Sequence, residues 1–124
     1  MAQILISEPH QDVSRMVERM VARLGHTPNC VTVPSPHDLT SAEVYIIEPA
    51  TPTGAVYAQA ASIAVPDLPL ICASLAGPPP ALTELGVTFA ACLLKPFTIE
   101  QLRDAIDRAL RHGRRRPCER HSAA

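Results

Sequence analysis

A chain of 124 residues with a formal net charge of -1, no Trp, two Tyr and two Phe has room for one domain, its core built from Ala, Val, Leu and Ile. So few aromatics argue against a base-stacking nucleic-acid platform. No apolar stretch approaches the roughly 18 residues of a membrane span, and none has the layout of a secretory segment, so no membrane role and a reducing cytoplasm are expected.

The total charge hides an asymmetry. Residues 1–110 hold six Lys/Arg against eleven Asp/Glu, and residues 111–124 hold five Arg against one Glu. An acidic body therefore precedes a basic end. In chain order, Ile4-Leu5-Ile6 is a short apolar run leading into Ser7-Glu8, and it reads as a buried strand. A helix follows. Val13, Met16, Val17, Met20, Val21 and Leu24 make one apolar face, with Arg15, Glu18, Arg19 and Arg23 on the wet side. Asp12 is the expected N-cap and Gly25 the expected stop.

Residues 30–33 read as the second strand. The Pro34-Ser35-Pro36 segment then breaks regular structure, and about ten residues separate this strand from Val44, so the crossover helix is short or missing. Val44-Tyr45-Ile46-Ile47 is the third strand and stops on Glu48. Residues 49–53 read as a loop and 54–65 as an Ala-rich helix. Residues 69–73 are the fourth strand, ending at Ser74. A Gly77-Pro78-Pro79-Pro80 connection leads to a brief helix over 81–85, and Gly54, Gly77 and Gly86 read as isolated turn glycines.

The fifth strand, 90–94, runs into Lys95-Pro96-Phe97. Thr98 with Gln101 is a capping box, and Leu102, Ala105, Ile106, Ala109 and Leu110 form the stripe of a last helix. The periodicity stops near Arg111. This divides the chain into a domain over 1–110 and a basic flexible tail over 111–124. Strands alternating with helices predict an α/β fold: a doubly wound, five-stranded parallel sheet with shortened second and fourth helices. Functional groups of such sheets gather at the carboxyl ends of the strands. Glu8, Glu48 and Lys95 should therefore converge on one crevice.

Other chemistry finds no support. Cys30, Cys72, Cys92 and Cys118 lack zinc-type spacing, and no nucleophile elbow or phosphate-binding glycine loop occurs. Cys72 and Cys92 lie in apolar runs and are expected to pack as small buried hydrophobes, not as redox groups. His10 near the two glutamates belongs to no recognised metal motif.

Over residues 3–110 the chain resembles the receiver domain of bacterial two-component response regulators, which has a flavodoxin-like sheet. The resemblance rests on Gln3-Ile4-Leu5-Ile6 with Glu8, Ile46-Ile47-Glu48 with Pro52, residues 69–74 ending in Ser74, Leu94-Lys95-Pro96-Phe97, and the last helix. It implies phosphoryl transfer from a histidine kinase to a carboxylate, with Mg²⁺ held by acidic residues. It casts Glu48 as the phosphoacceptor equivalent, Glu8 and Pro9 as the acidic pair, Ser74 and Cys92 as the switch positions, and Lys95-Pro96 as the conserved lysine and its proline.

The chain departs from that pattern at its chemical centre. Glu48 is one methylene longer than the family's aspartate, and Pro9 brings no side-chain oxygen. Mg²⁺ demands hard oxygen ligands in an octahedron, so its binding is expected to be weak or absent, with no other cofactor. The expected protein is a degenerate receiver, not an enzyme, that works by protein–protein contact. Its partners would be a histidine kinase or an output protein, or a second copy meeting it through the last helix and fifth strand. A still-active phosphorelay receiver is the alternative, and a small flavodoxin-like enzyme a more distant one.

Overall fold

The computed structural model describes residues 1–123, with side chains described through residue 113. The strands are β1 (Gln3–Ser7), β2 (Thr27–Cys30), β3 (Val44–Ile47), β4 (Leu70–Ser74) and β5 (Ala91–Leu94). The helices are α1 (Gln11–Arg23), α2 (Pro36–Ser41), α3 (Pro52–Ala64), α4 (Pro80–Glu84) and α5 (Ile99–Ala123). All pairings are parallel, in the order β2-β1-β3-β4-β5. This is the doubly wound sheet that the alternation predicts, with α2 and α4 reduced to one or two turns.

Successive strand residues point to opposite faces, and the core divides accordingly. Ile4, Ile6, Val44, Ile46, Ile71, Ala73, Ala91 and Leu93 meet α1 and α5 through Val17, Val21, Leu102, Ala105, Ile106 and Ala109. Leu5, Tyr45, Ile47 and Leu70 meet α2, α3 and α4 through Leu39, Ala58, Ala61 and Leu82. Alanines at 58 and 61 let α3 lie close on the sheet. On the second face only α3 is long; α2 and α4 are short and leave part of it thinly covered.

Several boundaries differ from the sequence reading, each for a local reason. The expected β2 over 30–33 sits three residues earlier. As an edge strand it is placed by β1, whose Gln3 and Ile6 pair with Thr27 and Cys30. Thr27 and Val31 donate their N–H groups to Ala2 and Ile6, so Pro28 faces away from the sheet, where a missing N–H costs nothing. The N-cap of α1 is His10, without a side-chain bond, and Asp12 lies inside the first turn, a favourable place for negative charge. The expected start of α3 at Gly54 moves to Pro52, since Thr51 caps the helix and Pro52 fills its first position.

At α5, Thr98 and Gln101 exchange the reciprocal bonds of a capping box. The helix runs to Ala123, past the point where the apolar stripe stops. Most of the expected flexible tail, from residue 114 onward, has side chains outside the described residues. No helix among the described residues is long and apolar enough to cross a membrane.

Candidate functional site

The carboxyl ends of β1, β3 and β5 bring Glu8, Glu48 and Lys95 together, as the sequence predicts. The Lys95 ammonium bonds Glu48 Oε1 at 3.0 Å and is also in direct contact with Glu8 Oε1. All three side chains are largely buried, with exposures of 5% for Glu8, 10% for Glu48 and 13% for Lys95.

The remaining carboxylate oxygens are also engaged. Glu8 Oε2 accepts from the His10 backbone N–H at 3.0 Å. Glu48 Oε2 accepts from the Ala50 N–H at 3.3 Å. Each glutamate thus bonds the lysine with one oxygen and the backbone two residues onward with the other. The lysine answers both: burial alone would lower its pKa, but hydrogen bonds and charge interactions with Glu8 and Glu48 outweigh this and hold it above the ordinary lysine value.

Sequence reasoning places all three residues in one crevice, but not the way Lys95 bonds both glutamates at once. Strand order explains that double contact. β1 lies next to β3, so Glu8 and Glu48 leave neighbouring strand ends, and a four-carbon lysine stem reaches both.

The surroundings add residues that the strand-end motifs did not single out. A cavity of about 230 Å³ opens beside the two glutamates, lined also by Ser7, Pro9, Thr51, Gly54 and Tyr57. Beneath it, the buried Ser7 hydroxyl meets the Tyr45 hydroxyl at 2.7 Å. Burial pushes the Tyr45 phenol up to about 12, and the Ser7 bond opposes that shift. Gly54, expected in an isolated turn, lies instead in the first turn of α3, pressed on the Glu48 backbone. A Cβ there would overlap the Glu48 carbonyl oxygen and come within 2.8 Å of Thr51 Oγ1. The signal that could have located this floor is the Thr51-Pro52 pair, a cap followed by a first-turn proline.

The other motif residues have these positions. Pro9 is exposed at the rim and supplies no donor atom. Ser74 is fully buried. Its hydroxyl accepts from the Gly77 N–H at 2.8 Å and donates to the Gly77 carbonyl at 2.9 Å, closing the turn after β4. Gly77 has φ of +88°, a conformation that suits glycine. Pro96 follows Lys95 through a cis peptide bond. Cys92 overturns its expectation: it is exposed, because β5 is an edge strand whose residues alternate between buried and exposed. Cys72 is buried as expected.

The donor set does not fit Mg²⁺. Both available carboxylates are engaged by one ammonium and tied to backbone N–H groups, and Pro9 offers no side-chain oxygen. Among the described residues, no group of three or more His, Cys, Asp or Glu side chains is arranged to hold a metal ion.

No family model matches the chain, and no curated protein matches it by sequence. Solved structures do match it by shape. A response regulator receiver domain protein from Clostridium thermocellum superposes with a TM-score of 0.76 at 16% identity, covering 92% of this chain and 98% of that one. The chemotaxis protein CheY4 of Vibrio cholerae gives 0.74 at 20% identity, covering 89% and 99%. NtrX from Brucella abortus gives 0.77 at 16% identity; the match covers 98% of this chain and 28% of NtrX. The chain has the receiver fold, a flavodoxin-like five-stranded α/β sheet, and at these identities the fold is what the likeness shows.

Proposed function

We propose that this chain is a degenerate receiver module of two-component signalling, which acts through contact with a partner protein and does not take up a phosphoryl group. The observation that carries this reading is the closure of Lys95 between Glu8 and Glu48. In the receiver resemblance this lysine pairs with a phosphoryl oxygen while the carboxylates hold Mg²⁺. Here the lysine's charge is already answered, and all four carboxylate oxygens have partners.

Two further features support it. In-line attack on phosphorus requires placement to a fraction of an ångström, and a misplacement of about 1 Å can cost on the order of 10²-fold. The extra methylene of Glu48 moves its carboxylate by about that much. The charge arrangement also supports it: two buried carboxylates side by side would repel, and Lys95 between them offsets one of the two negative charges. In this reading the pocket is held permanently in one state. The kinase or output protein expected as partner would then recognise a fixed surface, not a phosphorylation-dependent one.

The test is incubation of the full chain with acetyl phosphate and Mg²⁺, followed by intact mass and a thermal melt. The expected result is no phosphoryl adduct and no Mg²⁺-dependent rise in melting temperature, since an ion stabilises only the state that binds it. A stable adduct mapping to Glu48 would restore the active phosphorelay reading. In parallel, Pro9→Asp combined with Glu48→Asp rebuilds the missing oxygens and shortens the acceptor. That variant is expected to gain Mg²⁺-dependent stabilisation that the natural chain lacks.

A further inference from the structure

Strands β4 and β5 set two thiols side by side. Cys72 and Cys92 are opposite one another in the parallel register, so both project toward the face covered by α3 and α4. Adjacent strands lie about 4.8 Å apart. That separation falls inside the roughly 4.4–6.8 Å range of Cα distances that a disulfide can span.

The two thiols differ in access. Cys72 is fully buried, whereas Cys92 is exposed, since the five-residue α4 stops short of covering β5. The Cys72 sulfur also lies 3.7 Å from the Ser74 hydroxyl, at the end of the strand whose Ser74 carbonyl accepts from the Lys95 N–H. A bond between the thiols would therefore tie together the two strands that carry Ser74 and Lys95.

We propose that Cys72 and Cys92 form a reversible cross-strand disulfide, with Cys92 as the entry thiol for a hydroperoxide and Cys72 as the resolving thiol. In the first step the Cys92 thiolate attacks a peroxide oxygen. An S–O bond forms, the O–O bond breaks, and water leaves after protonation, so sulfur loses two electrons and the peroxide gains them. In the second step the Cys72 thiolate attacks the Cys92 sulfur, the S–O bond breaks, and a second water leaves. Two thiols and one hydrogen peroxide thus give one disulfide and two waters. A dithiol reductant reverses the bond by exchange.

The environment of Cys72 shapes the second step. Burial pushes its thiol up to about 11, against a lowering contribution from the Ser74 hydroxyl, while the neighbouring Cys92 raises it further. Only the thiolate attacks, so resolution is slow at neutral pH and speeds up about tenfold per pH unit below that value.

The experiment treats the full chain with hydrogen peroxide, blocks free thiols with N-ethylmaleimide, and maps peptides without reduction. The expected product is an intramolecular Cys72–Cys92 link that dithiothreitol removes and that forms faster at pH 9 than at pH 7. Cys92→Ser, an exposed substitution, is expected to abolish oxidation of Cys72 as well. Cys72→Ala is expected to leave Cys92 as a sulfenic acid that dimedone traps, with circular dichroism confirming that the variant is folded. The proposal is overturned if Cys92 pairs instead with Cys30, Cys118 or another molecule. It is equally overturned if Cys92 advances to sulfinic acid while Cys72 stays free, or if no link forms.

Discussion

The two sides of the Lys95 strand end present opposite solutions to the same problem. Toward β1 and β3, Glu8, Glu48 and Lys95 complete one another, with the Ser7–Tyr45 hydroxyl pair beneath them. Toward α4, Cys92 is exposed, Leu94 is 58% exposed and Leu75 is 78% exposed. Helix length accounts for much of the difference. The thirteen-residue α3 starts at a Thr51 cap directly against Glu48, whereas the five-residue α4 covers little beyond Leu82. A charged cluster can be buried where a helix shields it and the backbone supplies donors. Where the covering helix is cut short, apolar side chains are left in water.

Alkaline pH breaks both sides at once and is expected to have the largest effect. Tyr45 ionises near 10 when unfolded but only near about 12 in the fold, so its deprotonation favours the unfolded chain through that window. Cys72 does the same between about 9 and 11 on the open side. Lys95 has a raised pKa, so its ion pairs stabilise the fold fully below the ordinary lysine value of 10.5 and are lost as pH climbs through the folded value. All three signs agree. Thermal melts between pH 8 and 12 should show a melting temperature that falls progressively from about pH 9 upward. A flat profile to pH 11 would mean that the buried phenol and thiol are solvated in ways this packing does not allow.

Breaking the sealed side alone should come next in size. Lys95→Ala removes the shared cation and leaves Glu8 and Glu48 buried, adjacent and both negative. Removing one partner of a buried ion pair typically destabilises by about 3–5 kcal/mol. Urea denaturation of the variant should show a loss in that range at pH 7. An unchanged midpoint would reduce the triad to a surface ion pair of no more than about 1 kcal/mol.

How much of this was legible beforehand depends on which signal fixed each element. The strands ending at Glu48 and Lys95 announce themselves as apolar runs stopped by one charge, and the doubly wound parallel sheet follows from their alternation with α1, α3 and α5. β2 was misplaced because an edge strand is located by its neighbour: Thr27-Pro28-Asn29-Cys30 has little strand character of its own and is held by pairing with β1. Cys92 was misjudged for a related reason. A continuous apolar run means burial on both faces only in the middle of a sheet, and β5 is at the edge. The third member of the ion cluster, Glu8, was visible as a residue but not as a partner of Lys95, since proximity across β1, β3 and β5 depends on strand order and reach.

The open side offers the smallest and most discriminating test. Leu94 and Leu93 are adjacent on β5, yet Leu93 is 5% exposed and packs with α1 and α5 while Leu94 is 58% exposed. If nothing covers the α4 side, Leu94→Ser and Leu75→Ser should each change stability by no more than about 0.5 kcal/mol, as surface substitutions do. The pair should also be additive, because neither leucine belongs to a buried cluster. A loss above about 2 kcal/mol from either change would show that this side is buried in solution, and a melting temperature that rises with protein concentration would identify a second copy as what buries it. In that event the contrast between sealed and open sides would be a property of the isolated chain, and Cys92 would be shielded along with the leucines.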